Sequence, residues 1–330
     1  MRHGQAATYC ALGHVPCKLD KMAQFPARYV SPVKLIAIDI DGTLLPTPAN
    51  GVAISERNRV ALRQAESAGI EIVIATGRRQ AYSVPLIEPV GLRPETVLIT
   101  SNGTVMRTLA GERMERALLP IETARELCGA LRQFGGTTVF TFDRDGRGEL
   151  VVESMEQVHA RIQLWVEANR PWIEEIQPLE RAFDADEAPV QGMVCGTVEE
   201  MNRAEEWLAA SPLAEKIEMH QTQYPARNLS ILDILPPGCS KGVALASLAE
   251  RRGLRPEEIM AIGDNFNDLE MLKFAGHPVV MGNAAPELLV MAREFGWSVA
   301  PINDEDGVAQ MIEGVLSSQL TVDCDVSVVE

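Results

Sequence analysis

The chain has 330 residues, of which 46% are hydrophobic and 23% charged, a length that suggests two domains and a composition that excludes a disordered or collagen-like chain. Its formal net charge of -16 argues against general binding of nucleic acid or anionic membrane, which calls for a basic face. No apolar run approaches the roughly 20 residues of a membrane span, and residues 1–30 lack the apolar core of a secretory signal.

The cytoplasm is therefore the expected location, and the oligomeric state is left open. Cys10, Cys17, Cys128, Cys195, Cys239 and Cys324 are scattered and form no CxxC pair, which suits a reducing compartment rather than a disulfide framework. Cys10 and Cys17 lie near His3 and His14, but the spacing fits no common zinc pattern.

Residues 1–32 show no period and contain Gly4, Gly13, Pro16, Pro26 and Pro32. They read as a flexible extension, or as sequence upstream of a start nearer Met22. Val33–Asp39 is apolar at nearly every position, as a strand buried on both faces would be. Ser55 is a good N-cap for a helix with Val60, Leu62 and Ala65 on its buried side and Gly69 as its stop. Ile70–Thr76 reads as a second buried strand, a helical stretch follows, and Val97–Thr100 reads as a third. Such alternation predicts a parallel α/β sheet.

After Asn102 the pattern changes. Thr104–Leu119 reads as a hairpin turning at Ala110-Gly111. Helices are expected over 121–134, 155–169 and 199–210, with two strands around the turn Asp143-Arg144-Asp145-Gly146 and another near 190–197. The first pattern returns with a strand at Leu229–Leu235, a helix at Ser240–Arg252 stopped by Gly253, and a strand at Ile259–Gly263. The expected architecture is a doubly wound, mostly parallel α/β core over 33–118 and 226–316. An α+β domain over 119–225 interrupts it, and 317–330 forms a flexible tail.

Asp39, Thr76, Asn102 and Asp264 each stand at or just after the carboxyl end of a predicted parallel strand. In open α/β sheets those ends share one edge, where ligands bind. A bare DxD such as Asp39-Ile40-Asp41 is most often a turn former. A second acidic group, Asp264 and Asp268, at the same edge changes that reading. Like charges at about 4 Å repel by roughly 4 kcal/mol at an effective dielectric of 20, so a cation is expected between them, and an all-oxygen set suits Mg²⁺. Lys241 falls in the first turn of a helix, opposed to the helix dipole. A phosphate would reconcile the two, since the lysine and the helix N–H groups both attract an anion. Thr76-Gly77-Arg78 offers a hydroxyl and backbone N–H groups as a phosphate cradle, or is a plain strand-to-helix turn.

These segments resemble the four ordered motifs of the haloacid dehalogenase superfamily: Asp39-Ile40-Asp41-Gly42-Thr43, Thr76-Gly77-Arg78, Lys241, and Gly263-Asp264-Asn265-Phe266-Asn267-Asp268. Ser101-Asn102-Gly103, Ser240-Lys241-Gly242, Asp268-Leu269-Glu270-Met271-Leu272, Met281-Gly282-Asn283-Ala284 and Asn303-Asp304-Glu305-Asp306-Gly307-Val308-Ala309 resemble its Cof-type branch, whose α/β cap (class IIB) is inserted where this chain carries its large insertion. The resemblance covers about residues 33–316.

It implies a phosphatase in which Asp39 is the nucleophile and Asp41 the general acid and base. Mg²⁺ would be held by Asp39, the backbone carbonyl of Asp41, and Asp264. Thr76, Gly77, Lys241 and Asn267 would hold phosphate oxygens. Asp268, Asn102 and Arg78 would support them. The implied substrate is a small phosphorylated metabolite, a sugar phosphate or a phosphorylated cofactor. A phosphomutase or phosphotransferase, and a non-catalytic binder of phosphorylated ligands, are the alternatives. Asp143 and Arg144 are candidates for substrate choice, although shaping their turn accounts for them. Trp165, Trp172 and Trp207 read as packing residues.

Overall fold

The computed structural model describes residues 32–47, 53–224 and 227–326; apart from Pro32, the expected N-terminal extension with its cysteines and histidines lies outside them. The first elements follow the expected alternation: β1 (Leu35–Ile38), α1 (Glu56–Ser67), β2 (Glu71–Ala75), α2 (Gln80–Ile87) and β3 (Val97–Thr100). Ser55 caps α1 by accepting from the Asn58 N–H, and α1 buries Asn58, Ala61, Leu62 and Ala65. Val60 is a correction: it is 36% exposed, because two residues before Leu62 lies about 200° round a helix. The hairpin of β4 (Val105–Thr108) and β5 (Arg113–Arg116) extends the same sheet antiparallel to β3.

The inserted unit comprises α3 (Ile121–Leu131), β6 (Thr137–Thr141), β7 (Leu150–Val152), α4 (Gln163–Asn169), β8 (Ile173–Glu175), β9 (Gln191–Gly196), α5 (Val198–Ala209), β10 (Glu218–Tyr224) and β11 (Leu229–Leu235). The helix expected over 155–169 shrinks to α4. The His159 N–H is tied to Thr137 Oγ1 at 2.7 Å, and the His159 ring accepts from the Arg161 N–H, so helical winding starts only after that tether. A second correction concerns Leu229–Leu235. It belongs not to the returning parallel sheet but to the cap sheet, antiparallel to β9 and β10. The inserted unit therefore extends to Leu235, past the boundary expected at 226. The strand is buried at six of seven positions, and such an apolar run looks the same in either kind of sheet.

The core resumes with α6 (Lys241–Arg252), β12 (Ile259–Gly263), α7 (Leu269–Phe274), β13 (His277–Met281), α8 (Pro286–Phe295), β14 (Ser298–Ala300) and α9 (Gly307–Val326). The last helix runs through much of the expected tail. The core sheet has the order β14-β13-β12-β1-β2-β3-β4-β5 and is parallel from β14 to β3. Alternate residues of β1 and β2 enter opposite apolar layers. Ile36, Ile38, Ile72 and Ile74 pack with Leu62 and Ile312, whereas Leu35, Ala37, Val73 and Ala75 pack with Leu245, Leu248 and Leu272. Helices thus cover both faces, which makes the core doubly wound. The cap sheet, ordered β10-β11-β9-β6-β7-β8, buries one face under α3 and α5. Its strand β10 meets the Phe266–Asp268 turn at the edge of the core. Among the described residues no helix is long and apolar enough to cross a membrane.

Candidate active site

Four neighbouring parallel strands, β12, β1, β2 and β3, end at one edge and deliver Asp264, Asp39, Thr76 and Asn102 there. Asp39 is buried directly after β1, with its N–H bonded to the Ile262 carbonyl at 3.0 Å. Lys241 opens α6, fully buried, and its Nζ donates to Asp39 Oδ1 at 2.6 Å and Asp268 Oδ1 at 2.7 Å. Asp268 Oδ2 in turn accepts from the Asp264 and Asn265 N–H groups at 3.0 and 3.1 Å. Asp268 therefore both anchors the lysine and fixes the turn that presents Asp264, the supporting role expected for it. Lys241 bridges Asp268, a neighbour the sequence reading suggested for it, and Asp39, a pairing that reading did not foresee.

Asp39, Asp264 and Asp268 each offer an oxygen within 4.8 Å of the others. Three carboxylates face one ammonium in a buried site, and their ionisation shows the load. Burial, reinforced by Asp268 and Asp41 and only partly offset by Lys241, pushes Asp39 up to about 7. Burial, followed by the charges on Asp39 and Asp268, holds Asp264 well above the usual carboxylate range. Burial alone would lower Lys241, but Asp268 and Asp39 more than reverse it. When all three carboxylates are ionised, two negative charges are left in excess of Lys241, which matches one divalent cation, and an all-oxygen donor set suits a hard one.

The turn after Asp39 is shaped for such a site. Gly42 has φ +78, and a Cβ there would lie 2.2 Å from Asp264 Oδ2, so glycine alone lets the two segments approach. Thr43 Oγ1 donates to Asp264 Oδ1 at 3.2 Å, and Asn283 Nδ2 donates to the Gly42 carbonyl at 2.8 Å. We expect Gly42→Ala to displace Asp264 and cost at least about tenfold in cation affinity. Titration of cation-dependent melting checks this, and an unchanged affinity would show that the close approach is unimportant.

The remaining site residues surround this centre. Arg78 Nε and Nη2 grip both oxygens of Asp41 at 2.6 and 2.5 Å, leaving the Asp41 side chain half exposed. The Thr76 hydroxyl accepts from the Arg78 N–H at 3.1 Å. Asn267 Nδ2 donates to Asn102 Oδ1 at 3.1 Å, and Gly77 packs on the Asn102 side chain. The structure thus gathers all ten sequence-selected residues at one edge: Asp39, Asp41, Thr76, Gly77, Arg78, Asn102, Lys241, Asp264, Asn267 and Asp268. Asn283 and Thr43 are further site residues. Asn283 belonged to a quoted motif, yet nothing in its spacing showed that it reaches back to Gly42.

Cap residues contact the core around this edge. Asp143 is held by Arg107 at 2.7 Å, Arg116 at 3.2 Å and Arg113 at 3.4 Å, so it ties the cap to the core hairpin and does more than shape its turn. Arg79, beside the cradle, is buried in a socket of Glu149, Asn169 and the Trp172 ring.

Comparison with known proteins agrees with this geometry. A family model described as haloacid dehalogenase-like hydrolase matches residues 36–312. The chain is 31% identical over 302 residues to the 5-amino-6-(5-phospho-D-ribitylamino)uracil phosphatase YwtE of Bacillus subtilis, covering 87% of this chain and 99% of that protein. It is 31% identical over 258 residues to the HMP-PP phosphatase of Serratia proteamaculans, covering 77% of this chain and 86% of the relative. A solved haloacid dehalogenase-like hydrolase from Bacteroides thetaiotaomicron superposes with a TM-score of 0.69 at 29% identity, over 86% of this chain and 99% of its own. The fold is also that of a subclass IIB sugar phosphatase, with a TM-score of 0.68 at 23% identity over 86% of this chain and 100% of the other. The chain belongs to the haloacid dehalogenase-like hydrolases, as a phosphatase with the Cof-type pairing of core and inserted cap.

Proposed function

We propose that the chain hydrolyses the phosphate ester of a small metabolite, a sugar phosphate or a phosphorylated cofactor or precursor, through an aspartyl-phosphate on Asp39. The observation that carries this reading is the buried Lys241 bridge between Asp39 and Asp268, with Asp264 beside it. A carboxylate held in place by an ammonium, at a sheet edge where phosphate can approach, is an oriented nucleophile.

An Asp39 oxygen attacks phosphorus as the bond from phosphorus to the ester oxygen breaks, and Asp41 gives its proton to the departing alkoxide. Asp41 then takes a proton from water, whose oxygen displaces the Asp39 carboxylate from phosphorus and releases inorganic phosphate. Thr76, Gly77, Lys241 and Asn267 hold the phosphoryl oxygens. Arg78 orients Asp41 through its two hydrogen bonds to that carboxylate. Mg²⁺, held by Asp39, the Asp41 backbone carbonyl and Asp264, would neutralise charge between the nucleophile and the phosphoryl oxygens. The relatives named as phosphatases of a ribitylaminouracil phosphate and of HMP-PP support a small phosphorylated metabolite as substrate.

Release of inorganic phosphate from a panel of metabolite phosphates, with Mg²⁺ and no added acceptor, tests the reading. Turnover that appears only when an acceptor is supplied would instead mean phosphotransfer. Asp41→Asn is expected to lower kcat by about 100-fold or more on alkyl phosphates, and by less in the first step on p-nitrophenyl phosphate, whose leaving group needs no proton. Equal kcat for variant and parent on alkyl esters would remove Asp41 as acid and base.

A further inference from the structure

Between the cap and the phosphate cradle lies a chain of amides ending on one buried carboxylate. Asp233, on β11 of the cap, is buried. Its Oδ1 accepts from Gln191 Nε2 at 2.5 Å, and its Oδ2 accepts from Asn102 Nδ2 at 2.9 Å. Gln191 is also a cap residue, on β9, whereas Asn102 is a fully buried core residue. Asn102 Oδ1 then accepts from Asn267 Nδ2. Donation runs from Asn267 to Asn102 to Asp233 on the core side and from Gln191 to Asp233 on the cap side, so the four residues form a network that crosses from cap to core and converges on the carboxylate.

We propose that Asp233 is a positioning residue for the phosphate pocket: by accepting from Asn102, it fixes which way the amides of Asn102 and Asn267 point. The proposal rests on the reading of Asn267 and the Thr76-Gly77 turn as phosphate holders. An ionised carboxylate accepts and never donates, while an amide group presents an oxygen on one side and a nitrogen on the other. With Asp233 on one flank, Asn102 must turn its nitrogen to the cap and its oxygen to Asn267. Asn267 is then obliged to offer a nitrogen to Asn102, which sets the direction of its remaining N–H.

The same residue holds the cradle by its backbone. Asn102 sits at φ +54, its N–H bonds to the Thr76 carbonyl at 3.0 Å, and the Ser101 N–H bonds to the Arg78 carbonyl at 2.9 Å. Gly77 is so close that a Cβ there would stand 3.0 Å from Asn102 Oδ1. A change in the Asn102 amide therefore presses on both sides of the phosphate pocket. Asp233 makes no hydrogen bond to Asp39, Asp41 or Asp264 and acts through Asn102. Seating the cap and setting the phosphate holders become one event, because the fixing carboxylate arrives with the cap.

The test compares the parent, Asp39→Asn, Asp233→Leu and Asp233→Asn. It measures KM and kcat for p-nitrophenyl phosphate, Ki for inorganic phosphate, and Tm. Asp233→Leu strands the buried Asn102 amide, and KM and the phosphate Ki are expected to rise about tenfold, with a smaller change in kcat. Asp233→Asn keeps one acceptor and is expected to recover part of that loss while remaining at least a few-fold weaker than the parent. It carries the comparison alone if the leucine variant does not fold. If both variants, or the asparagine variant alone, bind phosphate as the parent does and lose only Tm, Asp233 is a structural brace and the proposal falls. If the parent releases no phosphate, or Asp39→Asn is as active as the parent, the phosphatase reading falls first, and the two failures are distinguishable.

Discussion

Asp39→Asn is expected to lower turnover by on the order of 10⁴-fold or more while leaving the fold intact. An amide cannot supply the anionic oxygen that attacks phosphorus, and no neighbouring carboxylate can replace it. Asp268 is fully buried and committed to Lys241 and two backbone N–H groups, and Asp264 lies on the other side of the cluster against Thr43. The same substitution has a second, opposite consequence. Folding raises the Asp39 carboxyl from 3.8 to about 7, mainly through burial. A carboxyl whose folded value lies above its unfolded one contributes stability that is fully present below the unfolded value and lost as pH rises through the folded value. Without divalent cations the parent should therefore lose stability as pH rises through about 7, and Asp39→Asn should lose less. Melting curves in chelator at about pH 6 and about pH 8 check the sign. Persistent turnover in a clean preparation of the variant, or a variant that melts below the parent at the higher pH, would contradict this assignment.

Removing divalent cations is expected to silence the enzyme, and adding Mg²⁺ back to restore it. The binding should also be visible without turnover. The three clustered carboxylates share one ammonium, so a cation relieves repulsion that the folded chain otherwise bears. At a cation concentration about 100 times Kd the stabilisation is about 2.7 kcal/mol, which for a chain of this size is a rise in Tm of about 4 °C. Asp264→Asn should abolish most of that rise together with activity. Activity indifferent to chelator would refute the metal assignment, as would an equal Mg²⁺-induced rise in Asp264→Asn.

The sheet edge that gathers the candidate site was legible in the sequence because the parallel core writes its topology plainly. Buried strands such as β1 and β3 appear as apolar runs, and the polar residues that end them must meet at one edge. Lys241 was legible as a cation where the helix dipole disfavours one, and its two carboxylate partners account for that placement. The cap was harder to read. β11 is as apolar as a core strand, and only its antiparallel pairing with β9 and β10 assigns it to the cap. Apolar positions at 155, 158, 162 and 166 have a helical spacing, yet the tether from His159 to Thr137 delays the helix. Val60 shows the same limit at one residue: hydrophobicity marked it as core, while helix geometry turned it to the surface. Asp233 and Gln191 left no signal, because an aspartate and a glutamine inside apolar strands say nothing of the asparagine they reach across the domain boundary. Contacts set by the docking of two units are written in neither unit's local pattern.

The role of Asp39 can be read most directly from Asp41→Asn treated with p-nitrophenyl phosphate and Mg²⁺. The good leaving group lets the first step proceed, and the missing base stalls the second. A stoichiometric burst of p-nitrophenol is expected, together with a phosphorylated peptide containing Asp39 after acid quench and mass spectrometry. Steady release of phosphate without a burst, or phosphate found on any other residue, would contradict Asp39 as the nucleophile.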